Sequence, residues 1–220
     1  MNEKYNEQFN LSGNFYFDKL DFISWSRYYY VIKAFQEKKI NSVLEIGSGD
    51  YIVKSIVEPY VGSYKTLDIN DNMKPDYLGD ILKYNDKLKN KFDLIIITDV
   101  LEHIPFDDVG IALNNMSQYL TTKGRIILTV PHRRTWFSFM SSINLSPRMF
   151  AVRNGLLSPK AFYRNFIIKK PWIDPHHCYE IGINGVSVKM FDKKITENHY
   201  NIIESKGIPY VNFWVIEKNN

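Results

Sequence analysis

Residues 43–50 read Val-Leu-Glu-Ile-Gly-Ser-Gly-Asp. A short apolar run that stops at Gly47 and Gly49 is a buried strand breaking into a turn that residues without a Cβ adopt at ease, and bare main chain there lets a ligand approach closely. Turns of this kind serve nucleotide cofactors. The dinucleotide fingerprint, however, asks for a third glycine at position 52, where this chain has Ile52, and gives no role to a carboxylate two residues before the first glycine. A nicotinamide dinucleotide therefore fits poorly, and the rest of the chain must explain Glu45.

The sequence after this turn alternates strand and helix patterns. A helix is expected from Asp21 or Ser24 to about Lys39, with Trp25, Tyr28, Ile32 and Phe35 on one face, and a short helix from about Tyr51 to Val57. Strands are expected at 42–46, 64–69, 77–78, 92–98 and 124–130, with a helix over 107–121 before the last of these. Leu94–Ile97 is unbroken and rich in β-branched residues, the mark of a strand covered on both faces. Such alternation implies right-handed crossovers, a doubly wound parallel sheet and a ligand crevice beyond the carboxyl ends of the strands. Near the C-terminus, Tyr200–Glu204 and Tyr210–Glu217 flank Lys206-Gly207-Ile208-Pro209 and read as a hairpin.

The 220 residues suffice for one sizeable core, and no linker, repeat or low-complexity tract divides them. Cys178 is the sole cysteine, which excludes an intramolecular disulfide, and the first ten residues lack a basic-then-apolar leader pattern, so a reducing cytoplasm is the expected compartment. The apolar runs fall far short of the roughly 20 residues needed to cross a bilayer. Charge is uneven: 132–170 holds eight Arg and Lys and no acid, against +4 for the whole chain, so the remainder is net −4.

Five strands, a terminal hairpin and acids at the ends of the first three strands resemble the class I S-adenosylmethionine (SAM) methyltransferases, over about 20–131 and again 184–217. The resemblance implies a Rossmann-like, mostly parallel seven-stranded sheet with a terminal antiparallel hairpin and a helical lid insertion. A single domain would comprise a cofactor-binding core at 20–131, the lid at 132–182, and a C-terminal helix and hairpin at 183–220. Glu45, Gly47, Ser48 and Gly49 match motif I. Asp68 with Ile69 matches the acid that accepts the ribose hydroxyls, and Asp80 with Ile81 the pair that holds adenine. Thr98-Asp99-Val100-Leu101-Glu102-His103-Ile104-Pro105 is similar to the segment after strand four in the branch that methylates small molecules, lipids and glycans.

By that resemblance His103 lies beside the sulfonium and is the candidate base, with local loop hydrogen bonding or cofactor contact by Glu102 and His103 as the competing reading; His132, beyond strand five, is a second candidate. His177 and Glu180, in a stretch resembling the His-x-x-Glu-Ile-Gly segment of some bacterial and archaeal relatives, are candidate acceptor contacts. The run His176-His177-Cys178 lacks paired metal-ligand spacing, so no metal is expected. Arg133 and Arg134 open the basic, aromatic-rich insertion and suit a carboxylate or phosphate. The expected activity is methyl transfer from SAM to O or N of a small, anionic or glycan- or lipid-linked acceptor. RNA methylation is an alternative: a base acceptor is disfavoured because strand four is followed by neither an Asn/Asp-Pro-Pro-aromatic segment nor Pro-Cys, whereas a ribose or tRNA acceptor stays open. A non-catalytic SAM-binding or interaction protein is a third reading.

Overall fold

In the computed structural model, the described residues are 22–132, 134–140, 147–153, 159–168 and 173–219. Helix α1 (Phe22–Gln36) precedes β1 (Ser42–Ile46), α2 (Ile52–Val57), β2 (Ser63–Asp68), β3 (Tyr77–Leu78) and β4 (Phe92–Thr98). There follow α3 (Val109–Tyr119), β5 (Leu120–Pro131), β6 (Arg134–Met140), β7 (Pro147–Arg153), α4 (Pro159–Phe162), α5 (Val188–Glu197), β8 (Tyr200–Gly207) and β9 (Val211–Lys218).

Seven strands form one sheet in the order β3-β2-β1-β4-β5-β9-β8. Strands β1 to β5 are mutually parallel, whereas β9 runs antiparallel to β5 and β8 antiparallel to β9. The chain winds outward from β1 in one direction and from β4 in the other, so the β1–β4 boundary is the topological switch point where an open sheet splits to form a crevice. The glycine turn leaves β1 there.

Strand β4 shows why both faces must be covered. Ile95 and Ile97 join the cluster packed by α3 and α5, while Leu94 and Ile96 join the one packed by α1 and α2, the two-residue alternation of any strand. All four are fully buried. Strand β5 begins four residues earlier than its apolar pattern suggested, because Leu120 pairs with Phe92 ahead of a register shift.

Helix α1 presents a different face from the one its apolar spacing predicts. Tyr28, Val31 and Ala34 are buried, Ile32 and Phe35 only partly so, and Trp25 is 45% exposed. Polar contacts settle the rotation: Arg27 pairs with Asp99, and the Tyr28 hydroxyl donates to Asp50, both acids lying at the carboxyl rim of the sheet.

Among its described residues the insertion is also less helical than expected. Its described helical part is α4 and a π-helical turn at Tyr163–Ile167. Ahead of these, β6 and β7 pair antiparallel from Arg134↔Arg153 to Met140↔Pro147. Trp, Phe and Thr in Arg134–Met140 favour extended backbone.

Candidate functional site

The turn after β1 is shaped by close approach. Gly47 has φ +74° and Gly49 φ +49°. A Cβ on Gly47 would lie 2.4 Å from Val100 Cγ2, far inside the 3.5–4.0 Å at which carbon atoms attract. The Gly47 N–H donates to the Leu67 carbonyl at 3.0 Å, tying the turn to β2. Tyr51, at φ 61°, then starts α2, where the Asp50 carboxylate accepts from the Ile52 N–H at 3.0 Å.

This turn forms one wall of a cleft of about 200 Å³ beyond the ends of β1, β2 and β4. Glu45, Gly47, Ser48, Gly49, Asp68, Ile69, Asp80, Ile81, Thr98, Asp99 and Val100 all line it, so every residue expected at a cofactor site is gathered here, with His103 at the same cleft. Arg27, Tyr28, Asp50, Asn70, Met73 and Ile104 also line it. Arg27 and Tyr28 arrive from α1, far from any motif in sequence, and carried no local signal. Asp50 follows the last glycine directly and was within reach of the motif.

Three features fit the cleft to a polar, hydroxyl-bearing ligand. Asp68 ends β2 with its carboxylate held by backbone N–H groups, among them Asn70 at 2.8 Å; burial raises its pKa and those bonds act against the rise. Asp80 is anchored through the Leu82 N–H at 2.9 Å. Ser48 is 4% exposed and its Oγ has no hydrogen-bond partner in the protein, an expensive arrangement unless a ligand supplies one.

Glu45 lies deeper. Burial pushes its pKa up to about 8, opposed by the Tyr64 hydroxyl, which donates to Oε2 at 2.9 Å. Asp99, at φ 54°, accepts from Thr129 Oγ1 at 2.7 Å and pairs with Arg27. Burial works against the Arg27 charge, but Asp99 beside it prevails and keeps the guanidinium firmly protonated.

The acceptor candidates divide. His103 Nδ1 lies 3.1 Å from the His176 carbonyl oxygen, which can only accept, so Nδ1 carries the proton and Nε2 the lone pair. Burial lowers the His103 pKa to about 4, so the ring is neutral at pH 7. His177 packs edge-on to His103 with centroids 4.9 Å apart, and its Nδ1 meets Glu180 Oε1 at 2.9 Å. Glu102, fully buried behind them, has its carboxyl driven well above the ordinary range by burial, with Asp99 adding to the rise. His132 is not among the residues lining the cleft; it is 5% exposed and its Nε2 lies 2.9 Å from the Ile208 carbonyl oxygen. Arg133 falls outside the described residues, and of Arg134 only the backbone is described, at the start of β6.

Residues 15–166 match the family model described as "Methyltransferase domain". The chain belongs to this methyltransferase family. It is a SAM-dependent methyltransferase, with S-adenosylmethionine as cofactor. No curated protein matches the sequence significantly. Among solved structures, the N-methyltransferase NodS from Bradyrhizobium japonicum WM9, in complex with S-adenosylhomocysteine (SAH), is similar with TM-score 0.62 and 12% identity, over 99% of this chain and 98% of that one. The DhpI–SAH complex gives TM-score 0.63 at 12% identity, over 99% and 96%. The Burkholderia thailandensis 1,6-didemethyltoxoflavin-N1-methyltransferase, with that compound and SAH bound, gives 0.56 at 12%, over 93% and 84%. At such identities the likeness is one of fold. No helix of the described methyltransferase is long and apolar enough to cross a membrane.

Proposed function

We propose that this methyltransferase modifies an oxygen or nitrogen of a small, anionic or glycan- or lipid-linked acceptor entering at the His103 end of the cleft. The observation that carries the reading is the convergence on one cleft of Asp68, Asp80, the bare Gly47 backbone and a neutral His103. Bound SAM supplies an electrophilic methyl group on a sulfonium. Asp68, an acceptor-only group while ionised, suits a pair of ribose hydroxyls, and Asp80 with Ile81 suits the amino edge and face of adenine. Ser48 Oγ and Glu45 then face the amino-acid end.

Catalysis in this reading rests on alignment, which removes roughly 7–11 kcal/mol from a bimolecular barrier. The His103 lone pair takes a hydrogen bond from the acceptor and so helps fix its orientation. His177 and Glu180 support that ring from behind, and the eight cations of 132–170 favour an acceptor carrying negative charge. His132, with its ring nitrogen on the Ile208 carbonyl, serves as a strut beside the strand end in place of a second base. The Burkholderia thailandensis enzyme, crystallised with 1,6-didemethyltoxoflavin, supplies a precedent for a small acceptor.

The test is incubation of purified protein with methyl-labelled SAM and separated polar-metabolite, lipid and RNA fractions. Label is expected in an acidic metabolite, glycan or lipid, and label confined to RNA refutes the acceptor class. In parallel, Asp68→Ala should weaken SAH at least tenfold by calorimetry, since hydrogen bonds to a charged group are worth about 1.5–3 kcal/mol each. Unchanged affinity removes the ribose assignment.

A further inference from the structure

We infer that Glu102, His103 and His177 form a binding site for a divalent transition-metal ion at the edge of the cofactor cleft. One ligand atom from each lies within 4.8 Å of the others. Metal–ligand bonds of about 2 Å in a tetrahedral site place ligand atoms about 3.3 Å apart, so side-chain adjustments of about 1 Å close the shell. Glu102 Oε1 and His177 Nε2 are 3.9 Å apart. That is too long for a hydrogen bond and about 0.6 Å beyond the separation of two ligands in a tetrahedral shell.

Two independent observations point to a ligand. Glu102 is 0% exposed, and neither of its oxygens has a hydrogen-bond partner, a costly state for a buried carboxyl group that a cation held in place of its proton relieves. Each histidine also has its other nitrogen fixed: His103 Nδ1 on the His176 carbonyl at 3.1 Å and His177 Nδ1 on Glu180 Oε1 at 2.9 Å. Metal-binding imidazoles are held in this way, an outer acceptor setting the tautomer and the ring orientation. One carboxylate oxygen with two imidazole nitrogens suits zinc, cobalt, iron or manganese better than calcium or magnesium, and three protein ligands leave a position open. No local spacing pattern marks the site, because His177 joins from 74 residues beyond His103. His103 also lines the cleft, so an oxygen of the acceptor can complete the shell. The ion then takes over from the imidazole the task of holding that atom.

The full-length protein, stripped with chelator, is titrated with Co²⁺ and followed by visible absorption, and Zn²⁺ is measured by competition with a chromophoric chelator. One equivalent is expected. His177→Ala and Glu102→Gln should each weaken binding by about 100-fold, and Glu180→Gln, beyond the ligands, by roughly 10-fold. His176→Ala should bind as the parent does, because its ring engages Asp174. Circular dichroism melts check folding, and His103→Gln stands in for any variant that does not melt cooperatively. Binding well below one equivalent, or binding lost as fully in His176→Ala as in His177→Ala, overturns the site. The titration contains no SAM, so its failure leaves the methyl-transfer reading untouched.

Discussion

Gly47→Ala separates the two reasons that a glycine stands at the end of β1. An L side chain at φ +74° costs about 1–2 kcal/mol on its own. The new Cβ would also meet Val100 Cγ2 at 2.4 Å, and relieving an overlap of that size costs about 1–3 kcal/mol. The single variant should therefore lose about 3 kcal/mol. Val100→Ala removes the obstructing methyl and, at a half-buried valine, should cost about 1 kcal/mol alone. In the double variant only the backbone cost and the valine cost persist, so the cycle should yield a favourable coupling of about 1–2 kcal/mol. Urea unfolding of the four proteins measures this, provided the m-value stays constant. Calorimetry with SAH is the second readout: a displaced Val100 intrudes on the cleft, so affinity should fall in Gly47→Ala and recover in the double variant. A coupling below about 0.5 kcal/mol would refute the steric account and leave the backbone dihedral as the sole reason.

Two further outcomes follow from buried charge. The folded-state pKa of Glu45 is raised, to about 8, chiefly by burial; the folded protein then holds a proton that the unfolded chain has released, so stability falls as pH rises from about 4.5 through 8. Glu45→Gln should flatten that slope, its stability relative to the parent growing by a few kcal/mol across the range, and parallel pH curves from urea unfolding would contradict it. Arg27→Ala breaks the pair with Asp99, whose side chains are 14% and 12% exposed. With Thr129 still bonded to the acid, the loss should be about 2–3 kcal/mol, less than for a fully buried pair, and a thermal melt indistinguishable from the parent would show that the contact is dispensable.

The sheet was legible wherever apolar periodicity was uncontested. Strand β4 spans Phe92–Thr98 as read, because both of its faces are covered and no polar residue competes from Leu94 to Ile97. The cleft was legible for a related reason: a turn that needs glycine and the acids that end buried strands are local patterns. Helix α1 was misread in rotation because its orientation is decided by Asp50 and Asp99, which lie beyond its own sequence. The Glu102–His103–His177 cluster was invisible for the same reason. Its members meet because polar contacts join segments some 75 residues apart, among them the Cys178 N–H donating to the Glu102 carbonyl at 2.7 Å and His103 Nδ1 donating to the His176 carbonyl at 3.1 Å. Local patterns fix strands and turns, whereas long-range polar contacts fix which side chains share a space.

The insertion after β5 leaves and rejoins the sheet at adjoining points: the Ile181 N–H donates to the Pro131 carbonyl at 2.9 Å, and His132 bridges Ile181. Because the two ends are already fastened together, the length between them adds only a slowly growing entropic term, about 0.6 kcal/mol for each doubling. The segment is in that respect a cassette with a fixed plug. Its contents can be exchanged for another sequence while the donor cradle stays as it is, and a chimaera carrying a foreign cassette should keep its grip on SAH while changing what it methylates.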